Sequence, residues 1–160
     1  MNEHLEELVD ELRGSLRRAE HSYYVSLKYT RTVDVIRNLI DRIIETLEQV
    51  TIVLLDYNKE KGNISEIPDN LIDRVNIVKE LYAEDERFMD AYELFFFLRK
   101  ARRQTYTKSE EFRRHVAMTA KVDGEEYVFN IDLMGEYYHM LEDWVKHALN
   151  IAFEKKEEEY

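Results

Sequence analysis

The chain has 160 residues, a formal net charge of −11 and no cysteine. Its length suits one domain, and the lack of cysteine excludes disulfides, zinc fingers and thiolate catalysis. The acidic balance disfavours a general nucleic-acid coat or an anionic membrane surface as partner, and the charged fraction of 36% is typical of thermophile proteins. The first residues are acidic where a signal peptide is basic, and no apolar run reaches membrane-spanning length. We therefore expect a cytoplasmic protein without a membrane partner.

Two long apolar stripes predict two helices in the first third of the chain. Apolar residues recur at alternating steps of three and four, which place them on one face of a helix. The stripes are out of phase, so we expect the helices to be separated or kinked near residues 29–32, with one continuous helix as the alternative. The first stripe, over residues 3–28, is Leu5, Val9, Leu12, Leu16, Ala19 and Tyr23; the second, over 33–57, is Val33, Ile36, Ile40, Ile43, Leu47, Val50, Leu54 and Tyr57.

A loop and two further helices are predicted next. Residues 58–68 contain Lys-Gly-Asn and the single proline, a composition typical of a loop. Apolar spacing then predicts a helix over about 69–82 and another over about 86–105, with Asp85 as its N-cap. The centre of the second helix, from Leu94 to Leu98, is apolar on every side. Such a helix lies in the middle of a bundle or in an oligomer interface.

Residues 115–131 predict a β-hairpin. Apolar side chains alternate on both sides of Asp123-Gly124, a strong signal for a two-residue turn. That turn places the apolar residues on one face and Lys121 opposite Glu126 on the other, a favourable cross-strand pair. The predicted pairs are Val122 with Glu125, Ala120 with Tyr127, Met118 with Phe129 and Val116 with Ile131. A lone hairpin is marginal in water, so its apolar face should pack on the helices.

A last helix is predicted over about 132–154, capped by Asp132 or Asn130, and residues 155–160 should form a solvated tail. No linker or internal repeat divides the chain. The sequence therefore predicts a mostly α fold in one domain over residues 1–154. Its architecture is a bundle of four to five helices, with the β-hairpin inserted before the last helix.

One segment is basic in an otherwise acidic chain. Residues 99–114 have a net charge of +5, which leaves −16 on the remainder. Arginines beside an aromatic side chain suit phosphates and unstacked bases, through forked hydrogen bonds and stacking. The alternative is that these cations favour a helix C-terminus and pair with acidic neighbours, including across a dimer. The candidate residues for binding a nucleic acid or phosphate are Arg99, Arg102, Arg103, Tyr106, Lys108, Arg113 and Arg114.

Ligand-type side chains line one face of the last helix. His139, Asp143 and His147 stand four residues apart, and Glu136 forms a Glu-x-x-His pair with His139. Di-iron carboxylate bundles use two such pairs and glutamates from two other helices, and this sequence has no second pair. The alternative is an exposed face on which histidines and carboxylates are neighbours without function. The candidate metal ligands are Glu136, His139, Asp143 and His147, and we expect no other cofactor.

Long helices are followed by FFFLRKARRQTY and then by EFRRHVAMTAKVDGEEYVFNIDLMGEYYHMLEDWV. Over about residues 20–150 this layout resembles uncharacterised archaeal helical-bundle proteins and, distantly, HEPN domains. The resemblance to HEPN nucleases implies RNA cleavage by an Arg and a His separated by four to six residues and shared across a dimer. No histidine of this chain follows an arginine at that spacing. The resemblance therefore implies a non-cleaving member that binds or regulates, and it assigns no catalytic residue.

Three hypotheses for the function follow. The leading one is a non-enzymatic helical module that forms a homodimer and binds RNA or a nucleotide through residues 99–114. Surplus apolar surface, at 33–57 and at the Phe cluster, favours a two-fold homodimer. The second is an enzyme, either a nuclease of unrecognised pattern or a metal-dependent activity on the face from His139 to His147. The third is a protein–protein adaptor whose acidic surface meets a basic partner.

Overall fold

A computed structural model describes residues 1–155, in which five main helices pack with a three-stranded antiparallel sheet. The mostly α fold predicted from the sequence is confirmed. Apart from Lys155, the predicted tail lies outside the described residues. The helices are α1 (Glu3–His21), α2 (Val33–Glu60), α3 (Leu71–Leu81), α4 (Glu86–Arg103) and α5 (Ile131–Ala152), and the strands are β1 (Tyr106–Ser109), β2 (Ala117–Val122) and β3 (Glu125–Asn130).

A π-helical turn, Ser22–Ser26, extends α1 and leads into three α-helical residues, Leu27–Tyr29. The N–H of Leu27, just after the turn, donates to the carbonyl of Ser22, five residues earlier. In an α-helix the corresponding hydrogen bond joins residues four positions apart. The wider turn buries both Ser22 and Leu27, whereas Tyr23, which the stripe placed inward, is half-buried. The predicted separation from the next helix is confirmed, because α2 begins at Val33 after a break.

Helix α2 is the central element of the bundle. Half of its 28 residues are buried, and it contacts α1, α3, α4, α5 and β2. Two buried polar side chains on α2 have partners on the surrounding elements. Thr51 Oγ1 lies 2.8 Å from Tyr92 Oη in α4, and Asn58 Nδ2 donates to Tyr82 Oη at 2.9 Å. These pairs satisfy groups that would otherwise be costly to bury.

Side-chain caps set the start of the later helices. Asp85 Oδ1 accepts from the N–H of Phe88 at 3.2 Å, which confirms Asp85 as the N-cap of α4. Asn130, one of the two predicted caps, accepts from the N–H of Leu133 at 2.9 Å and begins α5. Each bond satisfies a backbone donor that has no partner within its own helix.

The predicted hairpin is confirmed, and the structure adds a third strand to it. β2 and β3 pair in the predicted register from Val122 opposite Glu125 to Met118 opposite Phe129. The ladder ends with Ala117 opposite Asn130, so the predicted pair of Val116 with Ile131 lies outside it. Sequence analysis missed β1, which pairs with β2. Three of the four residues of β1 are exposed, so it has no apolar alternation to reveal it.

One contiguous hydrophobic core contains residues of all five helices and of β2 and β3. The apolar centre of α4 belongs to this core: Leu94, Phe95 and Leu98 are buried, and Phe96 and Phe97 are half-buried against it. Within residues 1–155, no helix combines the length and the apolar character needed to cross a membrane.

The two helical glycines Gly14 and Gly135 occupy different surroundings, and we expect Gly→Ala to change stability in opposite directions. A Cβ at Gly14 would have ordinary contacts, 3.5 Å from Arg18 Nη1 and 3.8 Å from Arg17 Nη2. A Cβ at Gly135 would collide with the Tyr23 ring, whose Cζ would lie only 2.9 Å away.

Gly14→Ala should therefore raise the free energy of unfolding by about 0.5–1 kcal/mol through helix propensity alone. Gly135→Ala should lower it by about 1–2 kcal/mol, because overpacking outweighs the same propensity gain. Urea unfolding of the two variants measures both changes. A gain at both positions would show that the Tyr23 ring moves aside without cost.

Candidate functional site

The basic segment spans the end of α4, strand β1 and the loop before β2. Arg102, at the end of α4, holds Asp41 of α2 with a fork of two hydrogen bonds, Nε to Oδ1 at 2.7 Å and Nη2 to Oδ2 at 3.2 Å. The hydrogen bond to Asp41 raises the pKa of the Arg102 guanidinium above its ordinary value. Both side chains are more than one third exposed, so the pair contributes at most about 1 kcal/mol. The predicted pairing with acidic neighbours therefore holds at Arg102.

Three other cations of the segment form ion pairs at the surface. Their side chains are between 43% and 77% exposed, so each pair opens at little cost. A ligand phosphate can therefore compete for these cations. The pairs are Lys100 with Asp123 at 3.2 Å, Lys108 with Asp34 at 3.4 Å and with Glu111 at 3.8 Å, and Arg113 with Glu110 at 3.5 Å.

Arg99 and Tyr106 are engaged with neighbours inside the chain. The Arg99 guanidinium lies 5.5 Å from the centroid of the Phe95 ring. Burial raises the pKa of Glu48, and the nearby charge of Arg99 opposes that rise. Tyr106 is covered by Arg37, whose guanidinium lies 3.9 Å from the ring centroid in a cation–π contact. Sequence analysis missed Arg37, because it lies on α2, about 70 residues before Tyr106.

Arg103 and Arg114 differ from the other cations of the segment. Both are exposed, and neither forms an ion pair or hydrogen bond with another residue of the described chain. They keep their full set of guanidinium donors for a ligand.

The loop between β1 and β2 presents an exposed aromatic ring. Phe112 is 77% exposed, and its φ of 67° is unusual for a bulky residue. The loop is nonetheless anchored to the start of α2: the N–H of Phe112 donates to the carbonyl of Arg31 at 2.6 Å, and Glu111 accepts from the N–H of Val33 at 3.2 Å. The ring therefore stands in solvent on a fixed backbone, between Glu111 and Arg113. Sequence analysis did not single out Phe112.

These contacts place the basic segment along the N-terminal half of α2. Lys108 meets Asp34, Tyr106 meets Arg37, and Arg102 meets Asp41. Asp34 and Asp41 are seven residues apart, which is roughly 10 Å along a helix. We call this strip, with Phe112, Arg103 and Arg114, the α2 basic surface.

The face of α5 with ligand-type side chains does not converge on a point. Glu136, His139 and Asp143 are exposed, and His139 lies 4.0 Å from Glu142. His147 Nε2 is instead bound to Asp85 Oδ2 at 2.6 Å. Among residues 1–155, no group of three or more His, Asp or Glu side chains is placed to hold a metal ion. The geometry gives the four predicted ligands no support as a site.

A second basic cluster, which sequence analysis did not find, lines a groove between α1 and α2. The groove has a volume of about 350 Å³. Arg42 lies more than twenty positions after Arg17, Arg18 and His21, so no local run of charge reveals the cluster. The lining residues are Gly14, Arg17, Arg18, His21, Ser22, Ser26, Asn38 and Arg42.

The chain matches no protein-family model, and no curated protein or solved structure is significantly similar to it.

The position of His147 predicts a structural role for that side chain. Asp85 caps α4 with one carboxylate oxygen and binds His147 with the other, and the imidazole lies 4.8 Å from the centroid of Phe88. We expect His147→Ala to lower the free energy of unfolding by about 1–3 kcal/mol, because it removes a largely buried partner of a charged group. His139→Ala, on the exposed part of the same face, should change it by less than about 0.5 kcal/mol. Equal losses at both positions, measured by urea unfolding, would contradict this assignment.

Proposed function

We propose that the protein is a non-catalytic binding module that holds single-stranded RNA on the α2 basic surface. The observation that supports this best is Phe112: an aromatic ring that is 77% exposed, on an anchored loop with positive φ. Burying such a ring is favourable in water, and an unusual backbone conformation has a cost. A base stacked on the ring would account for both features.

The charges around Phe112 suit the backbone of a short RNA strand. Arg103 and Arg114 offer unused guanidinium groups, Arg113 is held by one exposed ion pair, and Lys108 lies between the carboxylates of Asp34 and Glu111. Single-stranded RNA is bound in this way, by cations along the backbone and aromatic rings beneath the bases. The strip of roughly 10 Å along α2 suits a few nucleotides rather than a long duplex.

The net charge of the whole chain limits this binding to one surface. At −11, most of the protein repels a polyanion. We therefore expect modest affinity and a contact of two to four phosphates. The distant likeness of the layout to HEPN domains is consistent with an RNA-binding role. The homodimer, the cytoplasmic location and a protein partner stay predictions.

The first test reverses the two cations that have no partner. Arg103→Glu with Arg114→Glu should weaken binding of a labelled single-stranded RNA more than tenfold, because two phosphate contacts become repulsive. The control, Lys59→Glu with Lys146→Glu, makes the same change in net charge at exposed lysines away from this surface and should stay within about twofold. Fluorescence anisotropy measures both.

Salt dependence checks the number of contacts. Two to four phosphates predict a slope of log affinity against log salt of roughly −1.4 to −2.8. Equal losses in the two double variants, or no binding by the wild type at low salt, would contradict the proposal.

The second test concerns stacking. Phe112→Ala should weaken RNA binding by about fivefold or more, because base–aromatic stacking contributes about 1–3 kcal/mol per base. Phe112→Tyr keeps the aromatic face and should bind within about twofold of the wild type. Because the ring is exposed, neither substitution should shift the urea midpoint detectably. An unchanged affinity in Phe112→Ala would remove the ring from the site.

A further inference from the structure

The groove between α1 and α2 concentrates positive charge in an acidic protein. Arg17, Arg18 and Arg42 line it with His21. None of the described residues that line it is a carboxylate, although the chain has 34 of them. Three guanidinium groups around one concavity repel each other unless an anion lies between them.

The guanidinium groups of the groove are largely free to bind. Arg17 forms no ion pair or hydrogen bond with any described residue. Arg18 uses one nitrogen to reach Ser15 Oγ at 3.1 Å, and Arg42 meets Glu45 at 3.2 Å in an exposed pair of the kind that opens readily. Each arginine therefore keeps donors for a tetrahedral anion, which accepts several hydrogen bonds at once.

The π-helical turn supplies hydroxyl groups to the same groove. Ser22 and Ser26, at the two ends of the turn, both line it. Ser22 is buried, and its Oγ accepts from Asn38 Nδ2 at 3.3 Å. Ser22 makes no other side-chain hydrogen bond within the described chain, so its hydroxyl proton is available. π-Helical turns are rare and are found often at functional sites.

Gly14 has a local reason to be glycine if the groove is used. It lies inside α1, where alanine is the better helix former, and a Cβ would have room there. The absence of a side chain leaves Gly14 lining both this groove and an adjoining depression of about 360 Å³, which also shares Arg18. The two cavities therefore adjoin at Gly14, where no side chain separates them.

The adjoining depression has the opposite character. Asp10, Glu11 and Gln49 line it, and Gln49 Oε1 is buried without a hydrogen-bond partner among the described residues. Such an unpaired acceptor is costly unless a donor reaches it. Acceptors of this kind suit the hydroxyl groups of a sugar.

From the basic groove and its acceptor-lined neighbour we infer a binding site for a small sugar phosphate, with the phosphate among Arg17, Arg18 and Arg42 and the sugar hydroxyls towards Asp10, Glu11 and Gln49. The volumes fit a ligand at the small end of the usual range. This site is separate from the proposed RNA surface and does not depend on it.

The experiment titrates the 160-residue chain with inorganic phosphate and with ribose 5-phosphate. Isothermal calorimetry should show saturable binding of both, with ribose 5-phosphate bound at least about threefold more tightly. The amide resonances of Gly14, Ser22 and Asn38 should shift in ¹H–¹⁵N spectra. No saturable binding of either compound up to roughly 10 mM would overturn the inference.

Matched variants locate the two halves of the ligand. Arg17→Gln with Arg42→Gln should weaken the binding of both compounds at least tenfold. The control, Arg13→Gln with Lys28→Gln, removes the same charge from α1 and from the residues after its π-helical turn, and it should change binding less than about twofold. Gln49→Met should weaken the binding of ribose 5-phosphate to the level of inorganic phosphate and leave the binding of inorganic phosphate unchanged. Equal losses of affinity in the two double variants would overturn the site. Tighter binding of ribose 5-phosphate than of inorganic phosphate by Gln49→Met would also overturn it.

A last comparison separates this site from the α2 basic surface. Arg103→Glu with Arg114→Glu should leave ribose 5-phosphate binding unchanged, and Arg17→Gln with Arg42→Gln should leave RNA binding unchanged. Displacement of bound phosphate by an RNA without a terminal phosphate would overturn the inference, because it would show that the groove binds the RNA backbone.

Discussion

The burial of α2 determines where every other element lies. With half of its 28 residues buried, this helix must be covered on most of its circumference. α1 covers one side, α4 and the sheet cover another, and α3 and α5 complete the enclosure. The exposed residues of α2 form a ridge at Asp34, Asn38, Glu45 and Glu48, with Lys59 and Glu60 exposed at its C-terminal end. Polar residues at the two borders of that ridge therefore meet the polar residues of the elements packed beside it.

That geometry decides how the basic segment is used, residue by residue. The sequence left two interpretations open, a ligand surface and a set of internal ion pairs, and the structure shows ion pairs at some of these cations and none at others. Arg102 is held by a fork to Asp41 and Tyr106 is covered by Arg37, so these two serve the chain itself. Arg103 and Arg114 have no such partner among the described residues. A count of charges cannot make this distinction, because it depends on which side chains α2 brings opposite each position.

The elements that the sequence predicted correctly are those with a regular pattern. The apolar stripe of α2, the cap at Asp85 and the alternation around Asp123-Gly124 each follow from local chemistry and appear in the structure. β1 was missed because it is short and exposed and depends on pairing with β2. The groove was missed for a similar reason: Arg17 and Arg42 meet only after α1 and α2 pack. The π-helical turn at Ser22 could not be predicted from apolar residues spaced three and four apart, because the turn interrupts that spacing.

Locally unfavourable features coincide with the two candidate sites. Gly14 lies in a helix where alanine would be more stable, Ser22–Ser26 forms a π-helical turn, and Phe112 has positive φ with its ring in water. Departures also occur elsewhere in the described chain: Asp123 and Glu154 have positive φ, and Asp56 Oδ2 is buried without a hydrogen-bond partner. A sequence that satisfies local rules nearly everywhere departs from them most often where another demand competes with stability. At the groove and at the α2 basic surface the departures adjoin arginines with free donors, and this coincidence is what distinguishes these two surfaces as candidates for a phosphate-bearing ligand.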